Sequence, residues 1–161
     1  MKKFFSLLAL LAFSFGPANA QKIVLKIASI TPAAGEEVKA AEFKVEFPVV
    51  LSGGAAGKPV FKDFLIKKSN GTSSNELYKK LLTGVIIPVV MIEYYDAANN
   101  IYFIITLKQV SVSNFYWLSP ECPTCLKLEH QVGFVGRQIE TYDVSTGVTV
   151  KFDVILNSIY L

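Results

Sequence analysis

The sequence predicts a mainly β protein: a two-sheet antiparallel β-barrel or sandwich with one short flanking α-helix. Three observations support this fold class. About seven short segments rich in β-branched and aromatic residues are separated by turn residues. Several of them alternate apolar and polar residues, as half-buried strands do. Only one segment, after Lys68, shows a helical period with start and stop signals.

The N-terminus has the three parts of a secretory signal peptide. Lys2 and Lys3 precede the apolar run Phe4–Phe15, and Ala18-Asn19-Ala20 forms a small-residue cleavage site. Residues 1–20 are therefore expected to be removed, which predicts a secreted or periplasmic protein. Residues 21–161 are predicted to form a single domain. Without Lys2 and Lys3 the net charge falls from +3 to +1, which favours neither nucleic acid nor membrane insertion.

The first half of this domain is predicted to contain three strands. Lys22–Ser29 is β-branched and ends at the turn-like segment TPAAGEE. Glu42–Ser52 begins with strict alternation, and Pro48 places it at an edge or a bulge. A third strand, Pro59–Lys68, follows a glycine-rich segment.

That glycine-rich segment, Ser52–Lys58, superficially resembles a phosphate-binding loop. The P-loop pattern requires a glycine where Ser52 stands and a hydroxyl residue where Pro59 follows Lys58. Proline supplies neither a hydroxyl nor an N–H group, so a nucleotide site is not predicted. Gly53, Gly54 and Gly57 instead predict a flexible connection between strands.

The helix is predicted within SSNELYKKLLTG. Ser73 and Glu76 have the spacing of a capping box, and Gly84 is placed to end the helix. Leu77, Leu81 and Leu82 are predicted to share one face.

The second half of the domain is predicted to contain two pairs of strands. Residues 86–96 and 100–117 flank the polar turn AANN and predict a long hairpin. Thr141–Leu161 predicts a closing pair, because Val148, Val150, Phe152 and Val154 alternate with polar residues. Between them, Ser119–Arg137 is predicted to be an irregular insert.

The order of these segments resembles the Hcp family, the haemolysin-coregulated proteins of type VI secretion systems. The likeness spans roughly Glu42–Phe115 and Thr141–Tyr160. Its most specific parts are GKPVFKDFLIKK with SNELYKKLLTG, and YFIITLKQVSVS.

The resemblance implies a β-barrel that assembles into six-membered rings, which stack into a tube. It implies no enzyme activity and no cofactor. It also implies that the loop residues Ser52, Gly53, Gly54, Gly57 and Lys58 contact a neighbouring subunit. The expected partner is therefore a second copy of the chain, in a homo-hexameric ring, or another secreted protein.

Cys122 and Cys125 leave two alternatives open. In an oxidising compartment they are expected to form a disulfide within the insert. The alternative is an exported C-x-x-C redox protein, but its usual βαβ pattern and later proline are missing. With His130 the cysteines supply only three ligands, so a closed zinc site is not predicted.

His130 is the only histidine, so a histidine-dependent catalytic site would have to use it. No G-x-S-x-G motif accompanies it, and the prediction is a solvated loop histidine. A small outer-membrane barrel is a further alternative. The short spans, the helix and the chain end SIYL argue against it.

Overall fold

A computed structural model describes residues 21–46, 58–119 and 128–160. These residues form eleven strands and one helix. The elements are β1 Lys22–Lys26, β2 Glu36–Val38, β3 Ala40–Glu42, β4 Val45–Glu46, β5 Val60–Phe61, β6 Phe64–Ser69, α1 Ser74–Thr83, β7 Ile87–Tyr95, β8 Ile101–Leu118, β9 Glu129–Asp143, β10 Val148–Asp153 and β11 Ser158–Ile159.

All strand pairs in the described residues are antiparallel, and nine strands belong to one sheet. Its main order is β11-β10-β9-β8-β7-β1-β2, while β6 joins the other half of β9 and carries β3. The short strands β4 and β5 form a separate pair. The predicted fold class, a mainly β sandwich or barrel with one helix, is confirmed.

The long hairpin β8–β9 joins the two halves of the sheet. Residues 138–143 of β9 pair with β10, whereas residues 129–134 pair with β6. One core contains side chains from both halves, among them Leu25 and Leu107 from one and Phe64 and Phe134 from the other. The two halves therefore share a single apolar interior.

The predicted hairpin over residues 86–117 is confirmed as β7 and β8, paired across the turn at Asp96–Asn100. The closing pair is confirmed as β9 with β10. The predicted third strand is divided into β5 and β6 at Lys62-Asp63, and β2 was not predicted because it has only three residues. Of the predicted strand Glu42–Ser52, the described residues contain β4 and the end of β3; Pro48 lies outside them.

The prediction of an irregular insert at Ser119–Arg137 is wrong from Glu129 onward, because β9 begins there. Two glycines and a charged start concealed the alternation. Gly133 leaves room for the Asn114 side chain of β8, since a Cβ at that position would force the Asn114 amide to move. Residues 120–127, which include Cys122 and Cys125, lie outside the described residues.

The helix prediction is confirmed. Gly84 follows α1 with φ 63°, a left-handed conformation that glycine adopts without steric cost. Leu77 is fully buried and Leu81 packs against the core, as the helical period predicted. Leu82 is 68% exposed, so its placement on the same face was wrong. Five residues along a helix correspond to a rotation of about 140° from Leu77.

Candidate assembly surface

The predicted site residues are only partly described by the structure. Ser52, Gly53, Gly54 and Gly57 lie outside the described residues, as do both cysteines. Lys58 is described and exposed, and it leads into β5. The loop contact and the disulfide therefore stay predictions.

The described surface has a different main feature. In each of three neighbouring strands, the alternation of buried and exposed side chains slips by one residue, and the three slips lie side by side in the sheet. In β7 the buried residues change from Ile87 to Val90 and Ile92. In β8 they change from Leu107 to Val110. In β9 the change is from Phe134 to Ile139. We call this level the fold line, and it marks the change between the two halves of the sheet.

The residues at the fold line are Pro88, Gln109 and Arg137. Regular pairing skips all three positions. Between β7 and β8, Ile87 pairs with Val110 and Val89 with Lys108. Between β8 and β9, Val110 pairs with Gly136 and Lys108 with Gln138. Pro88 has no N–H group to donate to the ladder. Gln109 has φ 51°, a left-handed conformation that is rare for a residue with a Cβ. The sequence carried a signal for this bend, namely the parity slip in three successive strands.

A groove of about 710 Å³ lies over the fold line. Its apolar lining includes three exposed side chains, Ile86 at 50%, Val135 at 46% and Ile155 at 68%. The complete lining is Ile86, Pro88, Gln109, Ser111, Val135, Gly136, Arg137, Val154 and Ile155. Exposed aliphatic side chains that converge on one concavity are typical of a protein–protein contact.

The charge of the groove is largely neutralised within the chain. Arg137 Nε lies 3.8 Å from Asp153 Oδ2, and its guanidinium donates to Gln109 Oε1 at 3.3 Å. The backbone N–H of Leu156 donates to Asp153 and helps to hold the pKa of that carboxyl below its usual value. The groove therefore presents an apolar surface with a paired charge at its edge.

Strand β10 adds a second apolar surface beside the groove. Its inner edge pairs with β9 along its whole length. On the outer edge, β11 pairs with Phe152 and Asp153, and the Tyr160 N–H donates to Lys151 O, which leaves residues 148–150 without a strand on that side among the described residues. Val148 and Val150 are 56% and 48% exposed. A strand that has exposed β-branched residues and an incompletely paired edge can add a strand from another chain.

The most polar part of the interior lies at the start of α1. Lys68 Nζ is 2.5 Å from Glu36 Oε2 and donates to Ser73 Oγ at 2.8 Å. Ser73 Oγ also donates to Glu36, and Thr72 Oγ1 donates to Glu36 Oε1 at 2.7 Å. Burial alone would raise the pKa of Glu36. The hydrogen bonds from Lys68, Ser73 and Thr72 outweigh it and lower that pKa to about 2.

This cluster corrects two predictions. Ser73 stands at the N-cap position, but its side chain makes no capping hydrogen bond, because it is buried against Lys68 and Glu36. His130 is not a solvated loop residue. It is 0% exposed within β9, where its ring stacks on Phe115 at 4.7 Å.

The arrangement does not favour nucleophilic catalysis. A serine–lysine pair needs a neutral lysine to accept the serine proton, whereas Lys68 is ion-paired with Glu36. Ser73 and Lys68 are also inaccessible, at 0% and 1% exposure. Among residues 21–46, 58–119 and 128–160, no group of three or more His, Cys, Asp or Glu side chains is placed to hold a metal. No described helix is long and apolar enough to cross a membrane.

Comparison with known proteins adds family information to this geometry. The family model described as "Type VI secretion system effector, Hcp" matches residues 25–149. No curated protein sequence matches the chain.

Solved structures with a similar fold cover most of the chain. Hcp1 from Salmonella typhimurium is 17% identical with a TM-score of 0.73, over 88% of this chain and 99% of that protein. A secreted protein, Hcp3 from Pseudomonas aeruginosa, is 16% identical with a TM-score of 0.60, over 83% and 96%. Hcp1 from Flavobacterium johnsoniae is 14% identical with a TM-score of 0.60, over 82% and 98%. At these identities the likeness concerns the fold.

Proposed function

Because the chain belongs to the Hcp family of type VI secretion system effectors, we propose that it is an exported structural protein that assembles into rings of six copies. Its role is mechanical: each copy contributes a rigid β wall, and no reaction is catalysed. The observation that carries this proposal is the apolar groove at the fold line, which leaves exposed aliphatic side chains in a concave surface.

The groove and strand β10 support a head-to-tail contact. A ring requires two different surfaces on each copy, so that one copy's first surface meets its neighbour's second. The groove is concave and contains Val135 and Ile155, whereas β10 offers a strand edge with Val148 and Val150. These are two distinct apolar surfaces on one chain. The loop Ser52–Lys58, which contains Gly53, Gly54 and Gly57, is proposed as a further contact between subunits.

Residues 1–20 are proposed to direct export of the chain, with the mature protein acting outside the cytoplasm. No observation in the described residues favours the redox alternative, since Cys122 and Cys125 are not among them. The proposed partner is a second copy of the same chain.

The test compares two substitutions matched for exposure. Ile155 lines the groove and Leu82 lies on α1, and both side chains are 68% exposed. Ile155→Asp should dissociate the ring, because a buried interfacial carboxylate would have no partner. Leu82→Asp introduces the same charge away from the groove and should leave the assembly intact. Sedimentation velocity at micromolar concentration, with circular dichroism to check folding, distinguishes the outcomes.

If both folded variants keep the mass of the wild-type assembly, the groove is not the contact. If both variants dissociate to the same extent, the added negative charge itself disrupts the assembly, and the assignment of the groove as the contact is wrong.

A further inference from the structure

The end of the sandwich next to α1 contains a buried histidine whose ring nitrogens have no protein partner. His130 is 0% exposed, and neither Nδ1 nor Nε2 has a hydrogen-bond partner among the described residues. An imidazole in such a site is held in place by packing alone. Buried polar groups of this kind are rare in folded proteins and usually have a reason.

The neighbours of His130 come from four elements. Lys68 of β6 and Trp117 of β8 are its direct partners across the sheet. Phe115 of β8 stacks on the ring at 4.7 Å with an interplanar angle of 10°, and the Trp117 ring lies at 5.7 Å. The charged groups that act on the ring are Lys68 and Glu36 of β2, and both of them hydrogen-bond to Ser73 at the start of α1. From α1 itself, the Tyr78 ring packs against Phe115 at 5.4 Å and Trp117 at 6.4 Å.

This arrangement disfavours a positive charge on His130. The aromatic rings exclude water, and Lys68 places an ammonium group on the neighbouring strand. Glu36 is the only carboxylate that faces the cluster in the described residues, and Lys68, Ser73 and Thr72 already occupy it. A protonated imidazole would gain no hydrogen-bond acceptor here.

We propose that the row Lys68–His130–Trp117, with Phe115 stacked on the imidazole, is an acid-sensitive latch that holds α1 to the paired ends of β6, β8 and β9. Uptake of one proton by His130 favours the opened chain, in which the imidazolium is solvated. The latch lies within a single copy and does not depend on ring formation.

The direction of the effect follows from linkage. Burial, and then the charge of Lys68, lower the pKa of His130 from 6.5 to about 4 in the folded protein, although Glu36 opposes the shift. Between pH 6.5 and 4 the unfolded chain therefore binds the proton and the folded chain does not. The contribution to stability is complete well above pH 6.5, and the unfolding equilibrium constant rises by at most about tenfold per pH unit below it. The pKa of Glu36 is lowered from 4.5 to about 2, so its own contribution to stability is lost only below about pH 4.5, outside the range from pH 6.5 to 5.

The first experiment follows His130 directly in the untagged protein, where it is the only histidine. Its imidazole proton resonances should not titrate between pH 8 and 5 while the protein stays folded. A midpoint near 6.5 with the fold intact would overturn the proposal. This measurement needs no variant and so does not depend on how well a substitution folds.

The second experiment replaces His130 with phenylalanine, which keeps a flat ring against Phe115. Urea unfolding is followed through the fluorescence of Trp117, the only tryptophan. From pH 6.5 to 5 the wild-type unfolding constant should rise about 15-fold more than that of His130→Phe, because half of the unfolded histidines are already protonated at pH 6.5. An equal pH response in both proteins would contradict the latch. Such a result would not contradict the proposed ring, because ring formation is measured by sedimentation and the latch by the pH dependence of unfolding.

Discussion

Single side chains at the start of α1 are held by partners that are distant in the sequence. Glu36 receives hydrogen bonds from Thr72 and Ser73 and an ion pair from Lys68. The sequence placed Ser73 and Glu76 at capping-box spacing, but that local rule does not include Glu36. The Glu36 side chain is only 12% exposed, and a carboxylate so far removed from water requires donors more strongly than a helix end requires a cap. The tertiary contact therefore prevails.

Two neighbouring hydroxyls allow this cluster to be tested. Ser73→Ala should lower the free energy of unfolding by about 1–3 kcal/mol, because it leaves the buried Lys68 and the half-buried Glu36 with one partner fewer. Thr72→Ala removes an exposed donor to the same carboxylate and should cost less than about 1 kcal/mol. Urea unfolding at pH 7 compares them. Equal costs would mean that burial of the cluster is not what makes Ser73 important.

His130 could not be placed from the sequence for a related reason. It lies in the segment that the sequence predicts to be an irregular insert, which implies a solvated loop histidine, yet the structure pairs it with Lys68 and Trp117. A fully buried lysine is rare unless it is paired, and histidine is only intermediate in its tendency to be buried, so neither residue indicates a core position from the sequence. Only the cross-strand register shows that Phe115 covers the ring.

At the scale of elements, the sequence predicts those strands and that helix in which apolar residues recur at a regular spacing. The hairpin β7–β8 and the helix α1 follow directly from alternation and from the Gly84 stop signal. Strand β9 was hidden, because Gly133 and Gly136 accommodate close neighbours instead of following the apolar alternation. The groove could not be predicted, because it forms only where the slips in the alternation of β7, β8 and β9 lie opposite one another. That position depends on the strand register, which the sequence does not show.

The fold line predicts a specific response at Gln109, whose φ is 51°. Gln109→Gly should change the free energy of unfolding by less than about 1 kcal/mol, because two effects oppose each other. Glycine adopts a positive φ without steric cost, but it increases the conformational entropy of the unfolded chain. Gln109→Val should lower it by about 1–3 kcal/mol, because a β-branched residue strongly resists positive φ.

The matched control is Ser111→Val, two residues further along β8, where φ is not positive. It should be tolerated, because valine has a high strand propensity. If thermal unfolding shows that valine costs no more at position 109 than at 111, the bend does not depend on the backbone of Gln109.

Helix α1 predicts a contrast between two leucines. Leu77 is fully buried in the core, so Leu77→Ala should lower the free energy of unfolding by about 2–5 kcal/mol. Leu82 is 68% exposed, and Leu82→Ala should cost less than about 0.5 kcal/mol. Denaturant unfolding of both variants measures the difference. A small cost at Leu77 would show that the helix does not close the core.

At the scale of the whole molecule, the fold is supported by strand pairing and by similar solved structures, whereas the proposed ring is supported by the surfaces of the chain. The fold follows from the strand pairing and matches Hcp structures along nearly their full length. The ring is a proposal about surfaces: a groove lined by Val135 and Ile155, and a strand edge at β10. The sequence resemblance predicted such a contact in the loop Ser52–Lys58, whereas the described residues point to the fold line.

The most direct test of this account is the mass of the wild-type protein in solution. Light scattering coupled to size-exclusion chromatography, at micromolar concentration and neutral pH, should give six times the protomer mass. A strict monomer across the accessible concentration range would contradict the assembly proposal, even though the fold would stand.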